Sequence, residues 1–273
     1  MIEGKDIMGI RKEERIRQRN ERLGEIRLSK EGCLMKIVEY NNVRNIIVEF
    51  QDDYKYKTHT NYDAFLKGNV KNYYFNSIYG VGRIGCKYKV SSNRIYTKEY
   101  VTWNNMLKRC YDQKYKDQHE TYKNVMCCIE WLLYENFYEW IHSQENFDKW
   151  LNEDGWALDK DILVKGNKIY SPETCCLIPN RINKLFTKSD EIRGNLPIGV
   201  CKIGNKFQSS CLNPFAKKKE YLGLYDTAEE AFYAYKKYKE EIIKQVACFE
   251  YSENNINSAC YEAMMDYVVE IED

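Results

Sequence analysis

Eleven cysteines, three histidines and one dense polar segment are where this chain could carry chemistry. The cysteines include the adjacent pairs Cys127-Cys128 and Cys175-Cys176 but no C-x-x-C pair, so the ligand spacing of a structural zinc site is missing. Adjacent residues rarely converge on one ion, and these thiols read as reduced, mostly buried, small apolar side chains rather than a disulfide framework. Of the histidines, His59 lies in a strand-like run and reads as a surface or pairing residue, and His119 and His142 lie on or beside helices. The polar segment is Asp159 to Asn183, DKDILVKGNKIYSPETCCLIPNRIN, whose Asp159 and Asp161 taken alone are two exposed carboxylates at a strand end. Gly80, Gly82 and Gly85 in YGVGRIGCKY lack the Gly-Lys-Ser/Thr ending of a phosphate loop and read as a hinge or bulged strand.

The elements that must hold these residues follow from apolar spacing. Residues 24–78 carry short alternating runs, LMKIVEY, NIIVEF and YKYKTHTNYDAF, with a turn signal at Asn41-Asn42 and an end at Asp52-Asp53. They predict a small antiparallel sheet in which Met35, Ile37 and Glu39 alternate against Ile47, Glu49 and Gln51. Trp103, Met106, Leu107 and Cys110 fall on one face of a helix, and a second helix over Glu130 to Ile141 presents Trp131, Tyr134, Phe137, Tyr138 and Ile141. After the charged linker TKSDEIRGN, strands around Val200 to Ile203, Lys206 to Cys211 and Glu220 to Tyr225 precede a capping box of Thr227 and Glu230. The helix it starts buries Ala231, Tyr235, Tyr238, Ile242 and Val246 and ends near Ala247, and the late run YVVEIE reads as one more strand.

The bulk numbers restrict function further. Lys plus Arg is 42 against 41 acids, an unusual balance for a protein that must neutralise many phosphates. The sum hides a gradient, because residues 249–273 hold Glu250, Glu253, Glu262, Asp266, Glu270, Glu272 and Asp273 with no Lys or Arg, leaving the rest net basic. Such a chain binds nucleic acid or covers its own basic face. Arg11 to Arg22 is too polar for a buried helix and reads as a solvated basic leader, with a phosphate-gripping arm as the alternative. No apolar run is long enough to span a bilayer and the start has no apolar core of a signal peptide, so the expectation is a protein of the cytosol.

Several motifs in a fixed order resemble a known family. WNNMLKRCY at Trp103 to Tyr111, CIEW at Cys128 to Trp131, LDKD at Leu158 to Asp161, GNKIYSPETC at Gly166 to Cys175 and IN at Ile182-Asn183 resemble phage and prophage proteins of the HNH type, whose ββα-metal hairpin is followed by an AP2 DNA-binding module. PIGV at Pro197 to Val200 and YLGLYDTAEEA at Tyr221 to Ala231 resemble that AP2 module. The implied fold class is α+β: a basic leader (1–23), a small β-domain (24–78), a helical domain with an HNH-like hairpin (79–188), an AP2-like sheet and helix (195–248) and an acidic tail (249–273).

In such sites one divalent ion neutralises charge on the leaving and non-bridging oxygens, and a histidine makes the nucleophile from water. Carried over, Asp159 takes the metal-binding aspartate's place, Lys160 stands where the general-base histidine belongs, and Thr174 stands where a helix asparagine would ligate. Asn167 would stabilise the hairpin turn, Tyr170 belongs to the same motif, and Asn183 would close it. Lysine is a cation at neutral pH and threonine a poor ligand. Asp161 or Glu173 would have to restore binding, with Mg2+ the ion their oxygens suit. No cofactor is otherwise required.

The AP2-like sheet face would meet a major groove, with Lys202, Lys206, Gln208, Lys217, Lys218 and Lys219 as nucleic-acid contacts. Lysines without arginines suit backbone contact, and a solvated lysine loop is the plain alternative. The expectation drawn from this is a phage-encoded binding protein in the host cytoplasm that does not cut. It engages DNA, or a host DNA-processing protein of antiphage defence, which it would inhibit. The first rival is a Mg2+-dependent homing-type endonuclease, and the second is a structural phage component that forms a homo-oligomer.

Overall fold

The computed structural model describes the backbone of residues 3–186 and 195–273, and side chains from residue 12 onward. All of the charged linker except Asn195 lies outside the described residues, as does the side chain of Arg11. The fold is mixed α+β with several small sheets. It divides into two compact units, residues 1–115 with 129–138, and residues 116–128 with 139–273. Among the described residues no helix is long and apolar enough to cross a membrane.

In the first unit, α1 (Glu3–Arg22) is the basic leader, and it ends with the Arg22 guanidinium 4.1 Å from the centre of the Tyr62 ring. Strands β1 (Ile26–Leu28), β2 (Leu34–Asn42), β3 (Asn45–Phe50) and β4 (Lys57–Thr60) form an antiparallel sheet in that order, with α2 (Tyr62–Leu66) after it. The expected face of β3 is wrong by one residue. Register sets Phe50 opposite Met35 and Val48 opposite Ile37, so Ile46, Val48 and Phe50 are fully buried while Ile47, Glu49 and Gln51 stay half-exposed. Because side chains alternate with period two, a one-residue slip exchanges the two faces, and an irregularity between Ile37 and Glu39 obscures the phase in the sequence.

A two-stranded hairpin, β5 (Ser91–Ser92) and β6 (Ile95–Tyr96), turns through Asn93 and Arg94, both with positive φ. Helix α3 (Lys98–Tyr111), capped by the Thr97 hydroxyl, buries Trp103, Met106, Leu107 and Cys110 as its spacing predicts. The single helix expected over Glu130 to Ile141 is instead a 3-10 turn at Glu130–Leu132 and then α5 (Tyr134–His142), separated by an extended Leu133. At that break the Trp131 carbonyl accepts from the Trp103 indole nitrogen at 2.7 Å. The glycine-rich junction also has a physical reason. The Glu135 carboxylate accepts the amides of Cys86 and Lys87, both at 2.7 Å, and a Cβ on Gly85 would sit 2.3 Å from that carboxylate.

The second unit holds α4 (Gln113–Gln118) from Lys116 on, β7 (Met126–Cys127), α6 (Phe147–Asn152), β8 (Trp156–Asp159), β9 (Ile169–Tyr170), β10 (Cys176–Pro179) and α7 (Asn180–Asn183). Next come β11 (Val200–Ile203), β12 (Lys206–Asn213) and β13 (Lys218–Tyr225), an antiparallel sheet backed by α8 (Ala228–Ser252). The Thr227–Glu230 capping box is formed in both directions. One apolar cluster takes Ile162, Cys176, Ile178 and Ile182 together with Val200, Cys211, Tyr235 and Ile242, so the two segments on either side of the linker share a core.

The C-terminal stretch is neither a tail nor a strand. Helix α8 runs to Ser252, and α9 (Ser258–Met265) packs on it, placing Ile256, Cys260, Met264 and Val269 in the same core. The backbone of YVVEIE is held by side chains instead of a neighbouring strand. Glu240 accepts the Val269 amide at 2.9 Å, Lys236 donates to the Val269 carbonyl at 2.6 Å, and Asp273 accepts the Glu270 amide at 2.9 Å.

Candidate functional site

Strand β8 pairs antiparallel with β10, Asp159 opposite Cys176 and Trp156 opposite Pro179, and α7 follows directly from β10. Between them, β9 leaves this hairpin and pairs in parallel with β7, Tyr170 opposite Cys127. The run Asp159 to Asn183 is thus strand, loop, detached strand, turn, strand and a single helical turn. Pro172 and the Ser171–Cys175 turn end β9, and Gly166, with φ +76°, lets the loop reverse.

Asp159 closes β8 with an Asx turn, its Oδ1 accepting the amides of Asp161 and Ile162, both at 2.8 Å. Burial pushes its carboxyl above the ordinary aspartate range, the two amides opposing the shift only in part. Lys160 is almost fully buried. Its Nζ donates to both oxygens of Asp161 at 2.7 Å and to the Asn167 carbonyl at 3.0 Å, and sits 5.8 Å from the centre of the Tyr170 ring. Asn167 answers across the loop: its Nδ2 donates to the carbonyls of Lys160 at 2.8 Å and Ile169 at 2.6 Å, while its Oδ1 accepts the Ile169 amide.

Thr174 lies in the turn before β10, not on a helix as its expected role requires, and its hydroxyl is spent on the Ile169 carbonyl at 2.7 Å. Glu173 is in the same turn, its carboxyl lowered by the Ser171 hydroxyl, and Asn183 ends α7. The structure therefore brings Asp159, Lys160, Asp161 and Asn167 into one loop and ties them to each other. Mg2+ does not fit this donor set as it stands: both oxygens of Asp161 face the Lys160 ammonium, and Thr174 donates rather than offering an unengaged oxygen. Among the described residues no three His, Cys, Asp or Glu side chains are placed to hold a metal. The histidines are engaged elsewhere, His142 with its ring tilted against Phe147 at 4.0 Å between centroids, His119 against Tyr122, and exposed His59 beside Asn45.

The Cys175-Cys176 doublet is core. Both thiols are pushed well above their ordinary range, Cys175 by burial and Cys176 by its hydrogen bond with Cys260 and then by burial.

The six residues named as nucleic-acid contacts do not form one row. Cross-strand partners share a face, so Gln208, opposite Cys201, and Lys206, opposite Ile203, point away from α8, as does Lys219, opposite Leu212. Lys202, opposite the core-packed Phe207, and Lys218, opposite Asn213, are on the other face, and Lys217 sits in the turn with positive φ. Lys206 pairs with Asp226 at 3.0 Å and Lys218 with Glu220 at 3.5 Å. Between the outward lysines the surface is largely apolar, with Ile203, Leu212, Tyr221 and Leu224 all exposed beside Gln208 and Ser210.

Sequence reasoning missed two ties. Lys165 donates to Asp273 at 2.6 Å and to the Val268 carbonyl at 2.8 Å, fastening the end of the chain to the hairpin loop. Arg181 on α7 binds both oxygens of the buried Glu250 on α8. The surplus of acids after Phe249 was the available signal, since two of the seven proved to be buried anchors. No protein-family model, curated protein or solved structure matches this chain.

Proposed function

We propose that this is a phage-encoded binding protein built on an HNH-like hairpin followed by an AP2-like module, which engages DNA or a host DNA-processing protein of antiphage defence and does not cut. The observation that carries the reading is the state of Lys160. The residue at the general-base position is buried in an ion pair with Asp161 and a bond to the Asn167 carbonyl, so it holds the loop and is not aimed at a water. A strand-loop-strand-helix order around Asp159 and a three-stranded sheet backed by a capped helix support the family resemblance. The mixed orientation of the sheet lysines and the apolar surface between Lys206 and Lys219 favour a protein partner over a phosphate backbone.

The test is incubation of the full chain with supercoiled plasmid and Mg2+ or Mn2+, beside Asp159→Ala. The expected outcome is no nicking by either protein, with a host protein captured from infected cells. Metal-dependent nicking by the unaltered chain that vanishes in Asp159→Ala would establish the endonuclease reading instead.

A further inference from the structure

Beside the hairpin loop, residues 162–166 and the segment after α9 bound a groove of about 800 Å³. Its walls are of two kinds. Ile162, Leu163, Tyr267 and Val268 give apolar surface, and Asp266, Glu270 and Glu272 give carboxylates. Among the described residues the lining holds a single cation, Lys165, and the fold uses it: Nζ is bound by Asp273 and the Val268 carbonyl and lies 5.0 Å from the centre of the Tyr267 ring. Asp266, Glu270 and Glu272 are exposed and make no ion pair among the described residues. Val268 is 46% exposed although its neighbour Val269 is buried in the core.

Uncompensated carboxylates around a concave apolar floor repel phosphate and attract cations, and the field is strongest in a cleft. A bare polycation would leave Leu163 and Val268 in water; a peptide with an apolar side chain among its basic ones would cover them. Such a groove lies in the size range of pockets that take a few side chains. We propose that it is the docking site for a Lys/Arg-rich segment of a partner protein, its cations on Asp266, Glu270 and Glu272 and an apolar side chain on Leu163 and Val268. Proteins that handle DNA carry such segments to grip phosphate, so the groove would present carboxylates where the partner expects nucleic acid. That last link rests on the function proposed above; the groove's charge and shape do not.

The experiment is fluorescence anisotropy on the full chain at low salt, with a labelled peptide of lysine, arginine and leucine, the same peptide with serine for leucine, labelled duplex DNA, and spermine as competitor. The expected result is saturable binding of the leucine peptide, weakened about tenfold or more by Glu270→Lys with Glu272→Lys. Val268→Ser, which leaves the charge unchanged, weakens it several-fold, and Lys57→Glu on the exposed side of β4 leaves it unchanged. Three results would each overturn the proposal: affinity unaltered by the double reversal, equal affinity for the serine peptide with displacement by spermine, or duplex DNA bound as tightly as the peptide. Plasmid nicking by the same preparation would remove the proposed function and leave the groove's assignment to be decided by these arms.

Discussion

Lys160 and Asn167 hold each other's backbone. The Lys160 Nζ donates to the Asn167 carbonyl at 3.0 Å, and the Asn167 Nδ2 donates to the Lys160 carbonyl at 2.8 Å. The loop between them thus closes on itself, and Asp161 completes it by accepting Nζ on both carboxylate oxygens. Paired in this way the lysine is a fixed internal cation, which makes Lys160 a part of the fold.

Breaking either half of this exchange should cost stability. Lys160→Met leaves the Asn167 carbonyl and the Asp161 carboxylate without their donor, and Asn167→Ala strips two carbonyls and one amide. Each variant should lose about 1 to 3 kcal/mol in urea unfolding. The double variant should lose less than the sum, because both side chains restrain the same loop. Strictly additive losses would mean that the two bonds act independently.

Asp159 should make the chain less stable as it ionises. Burial raises its carboxyl above the unfolded value, so the folded state holds this proton more tightly. Its favourable contribution is complete below about pH 4 and is lost as pH rises through the higher folded value. Asp159→Asn keeps the oxygen that accepts the Asp161 and Ile162 amides and removes the charge. The asparagine variant is expected to match the parent near pH 3 and to exceed it in urea midpoint at pH 7. A parent that is the more stable of the two at pH 7 would show that hydrogen bonds to the ionised form outweigh burial.

The contrast between legible and hidden features has a physical pattern. Helix α3, the Thr227–Glu230 cap and β11 to β13 were readable because their signals are local: apolar period, cap chemistry and alternation. The phase of β3 was not, since the irregularity after Ile37 breaks the count that links the two strands. Nor was the folding-in of the chain's end, because YVVEIE satisfies every pattern of a strand. Side chains distant in sequence, those of Glu240, Lys236 and Lys165, decide that its backbone is held otherwise. In the hairpin, the partners of Lys160 were not readable from residue types, because they depend on the loop's path.

Thiol accessibility should sort the cysteines sharply. Cys86, Cys201 and Cys248 are exposed, whereas Cys110, Cys127, Cys175, Cys176, Cys211 and Cys260 are buried. Burial also raises Cys175 and Cys211, and Cys176 is raised chiefly by its bond with Cys260, which disfavours the reactive thiolate. Under native conditions a short iodoacetamide pulse followed by peptide mass mapping should label the first group and spare the second, with zinc chelation changing nothing. Rapid labelling of Cys175 or Cys176 would mean that the hairpin opens far more easily than its packing implies.

Lys239 should be a site where a polar residue lowers stability. It projects from α8 into the core beside Cys211, only 9% exposed, and among the described residues no hydrogen bond or ion pair holds its ammonium. Burial lowers its pKa, so the folded state binds this proton less tightly than the unfolded chain does. The penalty is absent above the unfolded value of about pH 10.5 and grows as pH falls through the depressed folded value. At neutral pH Lys239→Met keeps the length and apolar contact of the side chain while removing the charge that burial disfavours. We expect it to be more stable than the parent by about 1 kcal/mol or more at pH 7, with the advantage shrinking toward pH 10.5. Urea midpoints of the two proteins across that range decide the matter. An advantage that persisted unchanged at high pH would come from packing, and a loss of stability at pH 7 would mean that the ammonium has a compensating partner in solution.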